Sequence, residues 1–392
     1  MIFAILMILL PAIVILLCQK NSFLDRVGVV VLAFGLGFLI AIFGGLFEVI
    51  DFEALRPVQT SISEISVALA LPMIVFSTSL RKALKDAKGA LFAMFLAMGS
   101  VALISFLASF LFADQVAQIW QVSGMAVGAY TGGGVNLGAV KTAIGGDESI
   151  FLTMITYDIV FSALFMMVVL AFGQKAAGLV LRTYVFKEAG EVDTTSEMDH
   201  LANESAHGYS VLTERKSIVG SLIVFLSAAV CVGASVALAS LAPESMSSVV
   251  TIILITTFGI LGSFLPFLHN TRSSFHLGMY LILIFCLTSA TMLDTAIFTN
   301  MDWWLGAYFI SILAGSMMLL AALCRLFDVD RDTYLIASGA SIMSVPFIPV
   351  IAGALKNREI LIPGIAIAII GYALGNYLGI LVATLTQTYV GG

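Results

Sequence analysis

Long apolar runs alternate with short polar turns along nearly the whole chain. Twelve runs can be read, close to Ile2–Cys18, Val27–Leu46, Ile65–Leu80, Ala90–Phe112, Ile119–Val140, Ile150–Phe172, Ile218–Leu241, Val249–Leu268, Phe275–Leu293, Trp303–Leu323, Tyr334–Leu355 and Ile360–Leu385. Each approaches the ~20 residues that a helix needs to cross bilayer hydrocarbon. One polar stretch, Gly173 to Ser217, separates six runs from six. It is acidic in its centre (Glu188, Glu191, Asp193, Glu197, Asp199, Glu204) and basic at its ends (Lys175, Arg182, Lys187, Arg215, Lys216). The pattern predicts an all-α polytopic membrane protein: a first half over 1–172, a cytoplasmic linker over 173–217 and a second half over 218–392. No basic n-region precedes the first run, so it is expected to be a retained span rather than a cleaved leader.

The two halves repeat in spacing. A shift of 211 residues (128 to 339) lays Gly128-Ala129 on Gly339-Ala340, Ser77-Thr78 on Thr288-Ser289 and Ala143 on Ala354. Charge then sets the expected topology. The basic turn Arg81, Lys82, Lys85, Lys88 belongs on the cytoplasmic side, and the acidic turn Glu48, Asp51, Glu53 outside. If all twelve runs crossed, the linker with its basic ends and the turn bearing Lys356 and Arg358 would fall outside. Reading the fifth and eleventh runs as re-entrant hairpins returns both to the cytoplasm. The expectation is two inverted repeats, each of about five transmembrane helices plus a re-entrant hairpin or broken helix.

Those two runs carry breaks. The fifth holds Tyr130-Thr131-Gly132-Gly133-Gly134-Val135-Asn136, and the eleventh Ser344-Val345-Pro346-Phe347-Ile348-Pro349. Each glycine weakens a helix by about 1 kcal/mol relative to alanine, and proline removes a donor and clashes with the preceding turn. Freed backbone groups at membrane depth survive only where protein or a water-filled cavity satisfies them. Paired breaks in two halves point to a transporter binding site.

Composition fits this picture: 60% of the 392 residues are hydrophobic, 11% are charged, and mean hydropathy is +1.08. The net charge of −6 carries no basic stripe for nucleic acid. Cys18, Cys231, Cys286 and Cys324 lie in or beside apolar runs without metal-ligand or disulfide spacing, and read as buried, inert thiols. The histidines are likewise not expected to hold a metal.

Three stretches, LPMIVFSTSLRKALKDAKG (Leu71–Gly89), GAYTGGGVNLGAV (Gly128–Val140) and LIPGIAIAIIGYALGNYLG (Leu361–Gly379), resemble the YjcL-like family of uncharacterised membrane proteins (domain of unknown function 819). That family is distantly similar to glutamate:sodium and 2-hydroxycarboxylate symporters and to cation/proton antiporters. The resemblance covers nearly the whole chain and implies inverted repeats and a moving transport domain. It departs at the second break, where the family pattern Ile-Gly-Gly-Pro-x-Thr is replaced by Met343-Ser344-Val345-Pro346-Phe347-Ile348.

Candidate chemistry follows from the breaks. Gly132, Gly133 and Gly134 would let backbone approach a solute, and the arm beginning near Val135 would present a partly positive helix end to a carboxylate. Tyr130, Thr131, Asn136, Ser344 and Asn376 add polar groups; close helix packing is the alternative for the glycines. Asp158 lies roughly 12 Å into the sixth run, with no Lys or Arg on neighbouring turns. A coupling ion, Na⁺ or H⁺, is its natural partner, and Ser162 lies one turn along the same face. Ser77, Thr78, Thr288 and Ser289 are symmetric hydroxyl candidates for the same ion; local bonds to the preceding turn are their alternative.

The expected function is an ion-coupled secondary transporter, elevator-type, for a small anionic or zwitterionic solute such as an amino acid, short peptide or carboxylate. A cation/proton antiporter is the alternative. An intramembrane enzyme is disfavoured by the lack of an HExxH string or an intramembrane His base, and a channel by the lack of filter repeats. The expectation includes no catalytic residue, no cofactor beyond the coupling ion, a homodimer, and the cytoplasmic (inner) membrane.

Overall fold

The structure is a computed structural model. It describes residues 2–46, 52–77, 80–185, 206–241, 244–271, 273–292, 302–343 and 345–391, and among these no strand occurs. Fourteen α-helices of at least seven residues follow one another: α1 (Ile2–Lys20), α2 (Val29–Leu46), α3 (Phe52–Phe76), α4 (Leu80–Phe112), α5 (Ile119–Gly132), α6 (Gly134–Ile144), α7 (Glu148–Val168), α8 (Arg215–Ala239), α9 (Glu244–Ser263), α10 (Ser273–Thr291), α11 (Trp303–Leu326), α12 (Arg331–Ile342), α13 (Ile348–Ala354) and α14 (Leu361–Tyr389). Short helices stand at the fifth and sixth places and again at the twelfth and thirteenth.

Among the described residues, eight helices are long and apolar enough to cross a membrane. They are α1, α3, α4, α7 with its continuation to Gly178, α8, α10, α11 and α14. Three more apolar stretches among the described residues are shorter, Val29–Gly45 in α2, Val250–Ser263 in α9 and Val345–Ala354 leading through α13. The arms α5 and α6, of 14 and 11 residues, reach only about 21 and 16 Å at 1.5 Å per residue. Neither spans ~30 Å of hydrocarbon alone.

The chain divides into two compact units. One comprises Met1–Ala83, Val185–Leu293 and Ala352–Arg358; the other Leu84–Tyr184, Asp294–Ile351 and Glu359–Gly392. Each therefore draws its helices from both halves of the sequence.

In the first unit α3 and α10, which the 211-residue shift overlays, pack antiparallel. Ser274 Oγ donates to the Met73 carbonyl at 2.7 Å near one end, and Gln59 Nε2 donates to the Thr291 carbonyl and hydroxyl at 3.1 and 3.0 Å near the other. Met73 and Phe76 bury against Val224, Ala228 and Leu268. The outer face of α8 leaves Ile218, Val219, Leu222, Leu226 and Val230 exposed, as lipid-facing side chains should be. A 3₁₀ turn, Ala206–Thr213, seats the end of the polar stretch on this unit. Gln19 Nε2 donates to the Ala206 carbonyl, the Ala206 amide donates to Asp25 Oδ1, and the Tyr209 ring meets His276 edge-on at 5.6 Å.

In the second unit the other end of that stretch is held by an Arg182–Asp328 ion pair and an Arg325 bond to the Val180 carbonyl. Asp302 and Asp330 cap the starts of α11 and α12 by accepting from their first free amides. Tyr157 on α7 clamps the same α11 start: its hydroxyl donates to the Asp302 carbonyl at 3.1 Å and accepts from the Asp302 amide at 2.7 Å.

Candidate functional site

The fifth apolar run is a hairpin. At its open end the Gln121 side chain, near the start of α5, accepts from the Asp147 amide at 2.8 Å, just beyond the end of α6. Further in, a Cβ built on Gly128 would lie 2.8 Å from Val140 Cγ2. Chain entering through α5 thus returns through α6. The corresponding place in the second half folds back too: a Cβ on Gly339 would collide with Ile351, which lies 12 residues along the chain, as Val140 lies from Gly128.

The three tip glycines have three different surroundings. Gly132 is closed in, because a Cβ there would clash with Asn136 and sit 2.7 Å from the Gly371 carbonyl. Gly133 makes the turn at φ 80° and ψ −178°, a left-handed φ that residues with a Cβ rarely adopt, and its amide donates to the Ala129 carbonyl. Gly134 opens α6 and is exposed; the nearest atom to a Cβ there is Asp158 Oδ2, at 4.0 Å.

The closed side of the tip is a seam of small residues. Gly124, Gly128 and Gly132 recur at every fourth position of α5, and Gly371, Gly375 and Gly379 do the same on α14. The helices run antiparallel. A Cβ on Gly124 would meet Ala383 Cβ at 2.5 Å, one on Gly379 would meet the Gly124 carbonyl at 2.8 Å, and one on Gly371 would strike the Thr131 carbonyl. In lipid, where apolar burial gives helices no reason to associate, such close backbone approach supplies the packing. The sequence reading took the GGG string alone; the small-xxx-small spacing that marks this seam is present in both stretches but names no partner.

The polar candidates fall around this seam. Asn136 is 1% exposed and donates to the Gly371 carbonyl at 3.1 Å, so its amide braces the hairpin on α14. The Thr131 hydroxyl bonds one turn back to the Val127 carbonyl at 2.6 Å. Ser341 donates to the Tyr130 carbonyl at 2.6 Å, a contact the sequence gave no means of finding. The Tyr130 hydroxyl is buried with no hydrogen-bond partner, and so is Asn376 Oδ1. An unpartnered buried polar atom costs about 1–3 kcal/mol. Ser344 and Thr78 lie outside the described residues.

Asp158 stands at the middle of α7 and is half-buried. Ser162 Oγ donates to its Oδ1 at 3.1 Å, as the i, i+4 spacing anticipates. Its Oδ2 faces the first residue of α6, whose N-terminus carries no side-chain cap. None of the ion pairs among the described residues involves it; Lys141, the basic residue of the hairpin, pairs with Glu148. An aromatic group borders the site: Phe309 packs within 5.5 Å of both Tyr157 and Phe161, which flank Asp158 on α7, and takes the Tyr130 ring edge-on at 5.9 Å.

The remaining hydroxyl candidates are in the first unit. Ser77 Oγ bonds the Ile74 carbonyl, Ser289 pairs with Ser63 at 3.3 Å, and the buried Thr288 hydroxyl has no partner. Antiparallel packing of α3 and α10 puts Ser77 toward the start of α10 and Thr288 and Ser289 toward its end, so these three are not gathered at one point.

The chain is 26% identical over 343 residues, 82% of each chain, to "Uncharacterized membrane protein YjcL" of Bacillus subtilis (strain 168). With eight long apolar helices among the described residues, it is a multi-pass membrane protein. A family model described as "Protein of unknown function (DUF819)" matches residues 4–389. The chain belongs to that family.

Proposed function

We propose that this protein is a secondary transporter built from two inverted halves and coupled to Na⁺ or H⁺ through Asp158. One observation carries the reading: among the described residues, a carboxylate at the middle of a membrane-length helix has a single hydroxyl donor, no basic partner, and an open face at a hairpin tip. A fixed unpaired Asp costs at least ~2.5–3.5 kcal/mol at the centre of a span. A cation that arrives and leaves would offset that cost for part of a cycle. Broken helices in corresponding positions of two halves support the same reading. The solute class is a small anionic or zwitterionic molecule: an amino acid, a short peptide or a carboxylate. Alternating access of the elevator type would move the hairpin and α14 together.

Cation/proton antiport is the second reading, because Asp158 could exchange cations with no organic solute. The test is uptake into proteoliposomes of labelled amino acids, dipeptides and dicarboxylates under an imposed sodium or pH gradient. Gradient-driven accumulation of one class, lost in Asp158→Asn, supports the symport reading. Sodium-driven proton movement with no solute uptake replaces it with antiport. Accumulation of solute that is unaltered in Asp158→Asn overturns the coupling role.

A further inference from the structure

The face that α6 turns to α7 can be followed rung by rung. Gly134, Gly138 and Lys141 share one side of α6 at i, i+4 and i+7, and Glu148, Phe151 and Asp158 share one side of α7 at i, i+3 and i+10. A Cβ on Gly134 would stand 4.0 Å from Asp158 Oδ2, one on Gly138 would stand 3.7 Å from Phe151 Cζ, and Lys141 Nζ pairs with Glu148 Oε2 at 2.5 Å. The rungs ascend one helix and descend the other, so the two are antiparallel. Phe151 therefore stands about 10 Å from Asp158 toward the open end of the hairpin, at 1.5 Å per residue.

This seam is looser than the one between α5 and α14. There an added Cβ would strike backbone; here Gly134 has open space, and Gly138 leaves a notch that the half-buried Phe151 ring occupies. The Lys141 ammonium lies over that ring, 5.6 Å from its centroid, and is held in turn by Glu148, whose side chain is 65% exposed. A cation–π contact and a half-exposed ion pair are weak ties.

Resting on the coupling role proposed for Asp158, we infer that Phe151 is a gate on the route from the open end of the hairpin to that carboxylate. Seated in the Gly138 notch, the ring closes the α6–α7 seam, and the Lys141–Glu148 pair is its latch. Asp158 is then open on the Gly134 side and shut off along the seam. A change of Phe151 rotamer, with both backbones in place, opens the second route that a site loaded from two faces requires.

The test is labelling of Gly134→Cys, where a side chain meets nothing closer than 4.0 Å, by a charged, membrane-impermeant methanethiosulfonate in sealed vesicles of either orientation. Ser149→Cys, at the exposed start of α7, marks the face to which the hairpin opens. Mass spectrometry of the labelled position keeps the native cysteines apart. From the marked face Gly134→Cys is expected to react slowly, and Phe151→Ala in the same background to raise that rate about tenfold or more, since deleting a packed ring favours local opening. If Phe151→Ala does not yield monodisperse protein, Phe151→Leu carries the comparison. Fast labelling from the marked face with Phe151 in place, or a rate unaltered by loss of the ring, overturns the gate. An unaltered rate in Lys141→Met overturns the latch. Labelling reports access and not transport, so coupled uptake retained in Asp158→Asn would overturn the coupling role while the labelling result stood.

Discussion

Ser341 donates its hydroxyl to the carbonyl of Tyr130 at 2.6 Å, and the two residues are 211 positions apart, the interval that relates the two halves of the sequence. In an assembly with two-fold symmetry a residue meets its own mate only beside the axis. A direct bond between positions i and i+211 is therefore what inverted halves would produce where their hairpins cross. The contact of Gly128 with Val140 and that of Gly339 with Ile351 are displaced from each other by the same 211 positions.

Removing that bond should weaken the fold while leaving the side chains of the hairpin tip unchanged. Ser341→Ala leaves a buried carbonyl with one partner fewer, and a loss of about 1–2 kcal/mol is expected. Thermal unfolding of the purified variant checks it; an unchanged Tm would mean the bond contributes nothing net.

The glycine seam and the open glycine should respond oppositely to added carbon. Gly371→Val places a side chain against the Thr131 carbonyl and Met94 and should cost about 3 kcal/mol or more, visible as loss of monodisperse protein. Gly134→Ala meets nothing closer than 4.0 Å and should fold normally. Equal tolerance at both positions would remove the seam as a packing element.

Asp158→Asn separates a structural carboxylate from a functional one. If the charge is present for coupling, the variant should insert and fold at least as well as wild type, since mid-span Asp is itself unfavourable. Gradient-driven uptake should disappear. A variant that fails to fold would make Asp158 a brace for the hairpin tip instead.

Much of this arrangement could be read from the chain. Apolar run lengths located the spans, the Gly132–Gly134 string located the turn of the first hairpin, and i, i+4 spacing anticipated the Ser162–Asp158 bond. Two things were not legible. Spacing within one helix states which face is small but not which helix covers it, so the partnership of Gly132 with Gly371 was missed. Symmetric placement made Ser77 and Thr288 candidates together but did not say where each lies, and antiparallel packing puts them at different ends of α3 and α10. Of the pairs named at the 211-residue spacing, Ser341 and Tyr130 are the one joined by a hydrogen bond.

Alkaline pH should loosen the end of the polar stretch. Burial pushes the Tyr209 hydroxyl up from its ordinary value, and the nearby Arg358 only partly opposes this. The neutral form is the one the docked Ala206–Thr213 turn accommodates. Its contribution is complete below the ordinary tyrosine value near pH 10 and is lost as pH rises toward the elevated one. Hydrogen exchange of the turn between pH 9 and 11 should accelerate in wild type more than in Tyr209→Phe (a pH range on the order of one unit either side of that value).

The seam between α5 and α14 has a mechanical corollary. With backbone meeting backbone along three successive turns, sliding by one notch would drive Ala383 or the Asn136 amide into a carbonyl. The first arm of the hairpin is thus riveted to the last helix of the chain, and the pair has no soft layer to shear through. Any displacement of α5 must therefore take α14 with it as freight, and a flap-like swing of α5 alone is foreclosed.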